Sequence, residues 1–229
     1  MQEPDQNTNQ LQAKVGSLYT TQAEEFSKTR TAPWTGWIEL VNRGFVNKSD
    51  SYKVLDLGCG NGRFFKFAQE NTKSFEYLGL DYSNLLLSQA KNLGAKVLKV
   101  DLDNQNWVLL QKDFDLVVAF GIQHHLSNYQ NRLYFLNQIS ESLSHSGVAV
   151  VTYWQFLNYD RYQKKIKKLE QENDFLMSFG STENARFCHF TNLQEIEKLE
   201  SESNLTLIDS FNADGRDNTE NIYRVYKKR

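Results

Sequence analysis

The sequence predicts an α/β fold: a doubly wound, mostly parallel sheet of seven strands that ends in an antiparallel C-terminal strand pair. Three observations carry this expectation. An apolar run, Val54, Leu55 and Leu57, ends in glycines at two-residue spacing, Gly58, Gly60 and Gly62, the pattern of a buried strand entering a tight turn. From there to Trp154, apolar runs of strand length alternate with helical patterns, as parallel strands joined by crossover helices require. The last two apolar runs, 205–211 and 222–226, are joined by a polar connection without a helical pattern, so they pair antiparallel.

The first strand and its turn set the chemistry. Glycine permits positive φ and carries no Cβ, so the backbone here can approach a ligand, and the helix that starts at Arg63 turns its N–H groups toward it. A dinucleotide site calls for Gly-x-Gly-x-x-Gly; here the third glycine falls one residue early, and Asp56 stands at the strand end. The plain alternative is a glycine-rich turn with no ligand. The run from Asp56 to Gly62 resembles motif I of the class I S-adenosylmethionine (SAM) methyltransferases, (D/E)-x-G-x-G-x-G. That resemblance implies a Rossmann-like sheet, SAM as cofactor and S-adenosylhomocysteine as product. It also implies cofactor contacts from Asp56, from the three glycines and from Cys59 and Asn61 between them, with the helix N-terminus meeting the methionine carboxylate.

Taken in order, residues 1–14 are polar and read as a mobile tail, and 15–229 read as one domain whose residues 15–50 form a helical cap. Tyr19, Ala23 and Phe26 recur at helical intervals, and Pro33 breaks the pattern before a helix over 34–43. In SAM methyltransferases a segment in this place folds over the cofactor, which singles out Tyr19, Arg30 and Trp34. Arg30 would pair with the cofactor carboxylate through its guanidinium fork; otherwise it is an exposed arginine beside a core tryptophan. Tyr77-Leu-Gly-Leu-Asp81 is the second strand, and Asp81, followed by Tyr82, sits where an acid reaches ribose hydroxyls. A helix over 83–92, capped by Ser83 and closed by Gly94, leads to a third strand over 95–101. There Asp101 would accept from the adenine amino group while Leu102 lies against the ring. Either acid has a plain reading as a helix cap or turn acid.

The fourth strand, 114–121, is nearly all apolar, as a central parallel strand is. It brings Phe120 and then Ile122-Gln-His-His-Leu-Ser to the carboxyl end of the sheet, where ligands bind in open parallel folds. His124 or His125 faces the site there, either as a substrate-positioning imidazole or as one packed and one exposed residue. A helix over 128–143 has Leu133, Leu136, Ile139 and Leu143 on one face, and the fifth strand follows over 148–154. The next stretch, 158–177, reads as a strongly charged helix containing Lys164-Lys-Ile-Lys-Lys168, within a helical insertion over 157–203. Such a run is a solvated face or a surface that follows phosphates. A further helix spans 192–201.

Composition narrows the classes. A chain of 229 residues fits one larger α/β domain. With 26 basic and 28 acidic residues the charges nearly cancel, so no broad electrostatic case for nucleic acid arises, and only local basic patches remain open. Cys59 and Cys188 are too few for a disulfide framework and suit no zinc site, so a reducing cytoplasm and no metal are expected. No stretch approaches the roughly 18 to 20 apolar residues of a membrane span, and no secretory signal is visible.

Outside the cofactor motif the chain resembles the tRNA methyltransferases that esterify the carboxymethyl group of wobble uridine. The likeness lies in Tyr19 through Trp34 (Y-x-x-x-A-x-x-F-x-x-T-R-x-x-P-W), in Ile122-Gln-His-His-Leu-Ser with Arg132, in Val151-Thr-Tyr-Trp154 and, more weakly, in Arg186-Phe-Cys-His-Phe190. It implies tRNA as acceptor, with His124, Arg186 and His189 lining the acceptor pocket and Arg186 clamping the carboxylate. For part of that family it also implies a small zinc-containing activator protein as partner. The chain departs from the family at Ser144-His-Ser-Gly147, where a Lys-Pro-Gly-Gly turn is usual, and at Ser178-Phe-Gly180, where an apolar-Pro-Trp run is. A small-metabolite methyltransferase and a SAM-binding partner protein without catalysis are the competing readings.

Overall fold

The computed structural model describes residues 32–103, 106–108, 112–179 and 181–229. The expected tail, and Tyr19 and Arg30 with it, lie outside the described residues.

Five parallel strands form the body of the main sheet: β1 (Ser51–Leu57), β2 (Ser74–Asp81), β3 (Val97–Lys99), β4 (Phe114–Ala119) and β5 (Leu143–Trp154). The hairpin β9 (Leu205–Ala213) and β10 (Asn221–Lys228) completes it, in the order β3-β2-β1-β4-β5-β10-β9. β10 runs antiparallel to both β5 and β9, as the unhelical connection between the last two runs predicts. The order reverses between β1 and β4, which places a crevice at the carboxyl ends of these strands. β3 is shorter than expected, and β5 begins earlier, at Leu143, through an irregular register against β4.

Period-two alternation sorts side chains to the two faces. Leu55, Leu57, Val117, Ala119 and Val151 pack on one face with α4 (Tyr129–Ser142) and α6 (Leu193–Glu202), through Phe135, Leu136, Ile139, Ile196 and Leu199. Val54, Leu116, Val118 and Val150 face the other way. They meet Trp37 and Leu40 of α1 (Thr35–Asn42), Phe64 and Phe67 of α2 (Arg63–Asn71), and Leu87 and Ala90 of α3 (Asn84–Asn92). Each fully buried aliphatic or aromatic side chain here contributes about 1.5–3 kcal/mol of transfer free energy. Caps fix where the helices start: Ser83 Oγ accepts from the Leu86 N–H, Asn128 Oδ1 from Asn131 and Asn192 Oδ1 from Glu195.

One expectation is overturned. The charged helix over 158–177 is not formed, and the insertion over 157–203 is helical only at α5 (Asp160–Gln163) and α6. Between them lies a second, antiparallel sheet, β6 (Ile166–Lys168), β7 (Asp174–Phe179) and β8 (Ser181–His189). The reason is nonlocal. Phe175 and Met177 alternate inward, opposite Cys188 and Arg186, and close a small core with Phe156 and Cys188. A helix would scatter these side chains around its circumference.

Candidate functional site

The turn after β1 is built from strand ends. The Gly58 and Cys59 N–H groups donate to the Leu80 carbonyl at 2.8 and 3.0 Å, and Gly58, Gly60 and Gly62 all have positive φ, at 76°, 55° and 82°. A Cβ on Gly60 would meet nothing, so its backbone faces open space, whereas one on Gly62 would press on Ala90 at 3.1 Å. Gly60 therefore leaves its backbone open to the space above the turn, and Gly62 serves helix packing. Asp81 ties the turn to β2: its Oδ2 accepts from the Gly60 N–H at 2.9 Å and its Oδ1 from Ser83 at 2.8 Å. Burial raises its pKa, and those backbone donors oppose the rise. A carboxylate offers about four acceptor sites, so capacity for hydroxyl donors remains.

Above the turn opens a crevice of about 730 Å³. Of the predicted cofactor residues, Trp34, Asp56, Gly58, Cys59, Gly60, Asn61, Asp81, Tyr82, Asp101, Leu102 and Phe120 line it, and Gly62 does not. Asp56 lies beneath, accepting from the Tyr77 hydroxyl at 2.6 Å, and burial pushes its pKa up to about 7. Asp103, which sequence reasoning missed, also lines the crevice and accepts from the Ser127 N–H and from Asn131. So does Arg63, the first residue of α2, whose guanidinium lies over the rings of Trp34 and Trp37 at 5.4 and 5.1 Å. Its place directly after the last glycine was the available signal.

The other half of the crevice carries His124, His125, Trp154, Tyr162, Arg186 and Glu220. The His125 Nδ1–H donates to the Phe187 carbonyl at 2.8 Å, which fixes the tautomer, and burial next to Arg186 pushes its pKa down to about 3. His124 is buried, its pKa lies well below the ordinary value for the same reason, and its Nδ1 has no hydrogen-bond partner among the described residues. Both rings are neutral. The Trp154 ring lies 5.1 Å from His124, 4.8 Å from Tyr162 and 5.7 Å from the Arg186 guanidinium carbon. Glu220 gathers donors from Trp154 Nε1, the Tyr162 hydroxyl and Arg161. Trp154 stood in a quoted motif without an assigned role, and Tyr162 and Glu220 are brought in only by folding.

His189 is the correction on this side. It does not line the crevice; it is buried between two carboxylates, with Nδ1 2.5 Å from Asp174 Oδ1 and Nε2 2.8 Å from Glu195 Oε2. A carboxylate only accepts, so a ring held this way on both nitrogens is the doubly protonated imidazolium. Burial lowers its pKa, but the two hydrogen bonds outweigh that and leave it raised. Arg132 Nε completes the group by donating to Glu195 Oε1 at 2.8 Å. His124, His125 and Cys188 bring potential ligand atoms within 4.8 Å of one another. The Arg186 charge beside them and a Cys188 thiol pushed up by burial to about 11 disfavour a cation there.

A sheet of this order with an acid-edged glycine turn is the doubly wound arrangement, in which ligands bind at the switch point beyond the strand ends. A family profile described as "Methyltransferase domain" matches residues 55–149. The chain is 27% identical over 165 residues to "Probable tRNA methyltransferase 9B" of Mus musculus, covering 72% of this chain and 34% of that one. It is 28% identical over 153 residues to "tRNA (carboxymethyluridine(34)-5-O)-methyltransferase" of Arabidopsis thaliana, covering 65% and 34%. It thus spans about a third of the length of these curated relatives. The fold is also that of the Burkholderia thailandensis 1,6-didemethyltoxoflavin-N1-methyltransferase crystallised with S-adenosylhomocysteine, at a TM-score of 0.67, 15% identity and coverage of 100% and 93%. In profile match, sequence and fold the chain is thus similar to SAM-dependent methyltransferases. No helix among the described residues is long and apolar enough to cross a membrane.

Proposed function

We propose that the chain is a SAM-dependent methyltransferase that esterifies a carboxylate on a modified wobble uridine of tRNA. The observation that carries the reading is Arg186, a buried guanidinium in the crevice beside Trp154 and two neutral histidines, across from the acid-lined cofactor half. The relatives' names support the same acceptor.

The residues present fit SAM: the open backbone at Gly60 would meet its amino-acid end, Asp81 its ribose, and Asp101 and Leu102 its adenine, with Trp34 and Arg63 over the entrance. When bound, SAM supplies a sulfonium-activated methyl group. Arg186 pairs with the acceptor carboxylate and fixes its approach, and the Trp154 and Tyr162 rings flank a planar base. A carboxylate is already ionised near neutrality, so positioning supplies most of the rate and no general base is needed. The neutral His124 and His125 orient polar groups without adding charge. Cys59 and Cys188, both free and buried, support a place in the reducing cytoplasm. The reading includes a small activator protein as partner, which would show as a gain in turnover on its addition.

The test is transfer of labelled methyl to tRNA from cells lacking this chain, followed by mild alkali. Label released as methanol from a modified uridine supports the ester. Alkali-stable label, or none with or without activator, would dismiss it.

A further inference from the structure

The insertion that sequence reasoning took for a helix instead presents a run of exposed lysines directly after a crevice-lining residue. Tyr162, which lines the crevice, is followed within one turn by Lys164 and Lys165 and then by Lys167 and Lys168 on β6. All four lysines are exposed. From Arg161 to Lys168 the chain has no carboxylate. Arg161 is paired with Glu220 and Lys198 with Glu202, but among the described residues none of these four lysines has a salt-bridge partner. The Ser178 N–H donates to the Lys165 carbonyl at 2.8 Å, so the ladder extends back to Lys165. Ile166 packs on the small core of Phe156, Phe175 and Met177, so Lys165 and Lys167 point away from it. Two strand residues advance about 6.6 Å, close to the separation of successive phosphates along one nucleic-acid strand.

Resting on the tRNA reading above, we propose that this ridge binds the phosphate backbone of the RNA whose base enters the crevice at Trp154 and Tyr162. An unpaired row of cations on a chain of net charge −2 concentrates counterion release at one edge. The structure sets Lys165 and Lys167 on the side away from the small core, with Lys164 in the preceding turn and Lys168 on the Ile166 side of β6, all four exposed.

The test measures binding of bulk tRNA by fluorescence anisotropy from 50 to 200 mM salt, for the wild type and for K164Q/K165Q/K167Q/K168Q. The variant is expected to lose at least about tenfold in affinity, and the slope of log K against log salt to flatten by up to about 2.8, at ~0.7 per single-strand phosphate contact. Calorimetric SAM affinity should not change, and K91Q on α3 should behave as wild type. Equal slopes and affinities for the quadruple variant would overturn the ridge while leaving the tRNA reading intact. Self-association of the variant with undiminished RNA binding would overturn it too, by assigning the lysines to guarding an edge strand. Salt-independent or absent RNA binding by the wild type would instead bring down the tRNA reading itself.

Discussion

Replacing His189 by alanine tests whether this residue holds the acceptor side together or takes part in it. The imidazolium joins Asp174 of β7 to Glu195 of α6, and Arg132 of α4 shares Glu195. In His189→Ala the two carboxylates lose their common donor while Arg132 still serves one of them. Removing one partner of a buried pair costs about 3–5 kcal/mol, and the surviving arginine puts this case near ~3 kcal/mol. The pH dependence follows from the signs. The raised His189 pKa gives stabilisation that is complete below its unfolded value of about 6.5 and is lost as pH rises through the folded one. The lowered Glu195 pKa gives stabilisation present above about 4.3 and lost as pH falls. The wild-type advantage is thus largest between about pH 4.5 and 6.5 and shrinks toward pH 9. Urea unfolding of both proteins at pH 6 and pH 9, with m-values compared, measures it. A gap under ~1 kcal/mol at pH 6, or one that widens at pH 9, would refute the reasoning. Because β8 also carries Arg186 and the Phe187 carbonyl that holds His125, the folded variant should raise KM for the acceptor and leave SAM affinity unchanged.

Asp81→Ala should weaken SAM binding by about 1–3 kcal/mol, because the cofactor and the Gly60 and Ser83 N–H groups lose a shared acceptor; calorimetry giving wild-type affinity would exclude that role. Arg186→Ala should spare SAM affinity but lower kcat/KM for the acceptor by about 10- to 150-fold, the worth of a charge-assisted hydrogen bond of ~1.5–3 kcal/mol, and equal losses in both quantities would contradict the division of the crevice. Asp56, raised to about 7 by burial, stabilises the fold most while protonated, an advantage that fades as pH climbs from its unfolded value of about 3.9 through 7. Thermal melts should therefore show Asp56→Asn gaining on wild type across that interval, and a constant difference would mean that Asp56 keeps its charge throughout.

The parts of the molecule legible in the sequence are those that local pattern determines. Val54, Leu55 and Leu57 announce a buried strand because both faces of a central parallel strand are covered. Ser83, Asn128 and Asn192 announce helix starts because their side chains satisfy orphan N–H groups within three residues. Asp81 was legible as a crevice residue because that place follows from its position at a strand end. The 158–177 stretch was not, since its apolar residues are sparse and its strand character depends on pairing with 181–189. The same dependence hid His189: no local pattern shows that Asp174 arrives from the neighbouring strand and Glu195 from the next helix. Trp154 and Glu220 meet only because β10 is laid against β5.

On the proposed reading, the charges of the crevice suit a reaction between a cation and an anion. Asp56, Asp81, Asp101 and Asp103 occupy the cofactor half and Arg186 the other. With Glu220 already matched by Arg161, Tyr162 and Trp154, the excess of carboxylates on one side suits the proposed sulfonium nucleoside and the Arg186 guanidinium on the other suits the proposed carboxylate. A second cation next to Arg186 would hold the carboxylate more tightly before the reaction and would stabilise it less as its charge is spent, which raises the barrier. Burial and the Arg186 charge prevent this by keeping His124 and His125 neutral near neutral pH. The histidine pair beside Arg186 is thus explained by what it withholds from the site, a positive charge, as much as by the hydrogen bonds it can offer.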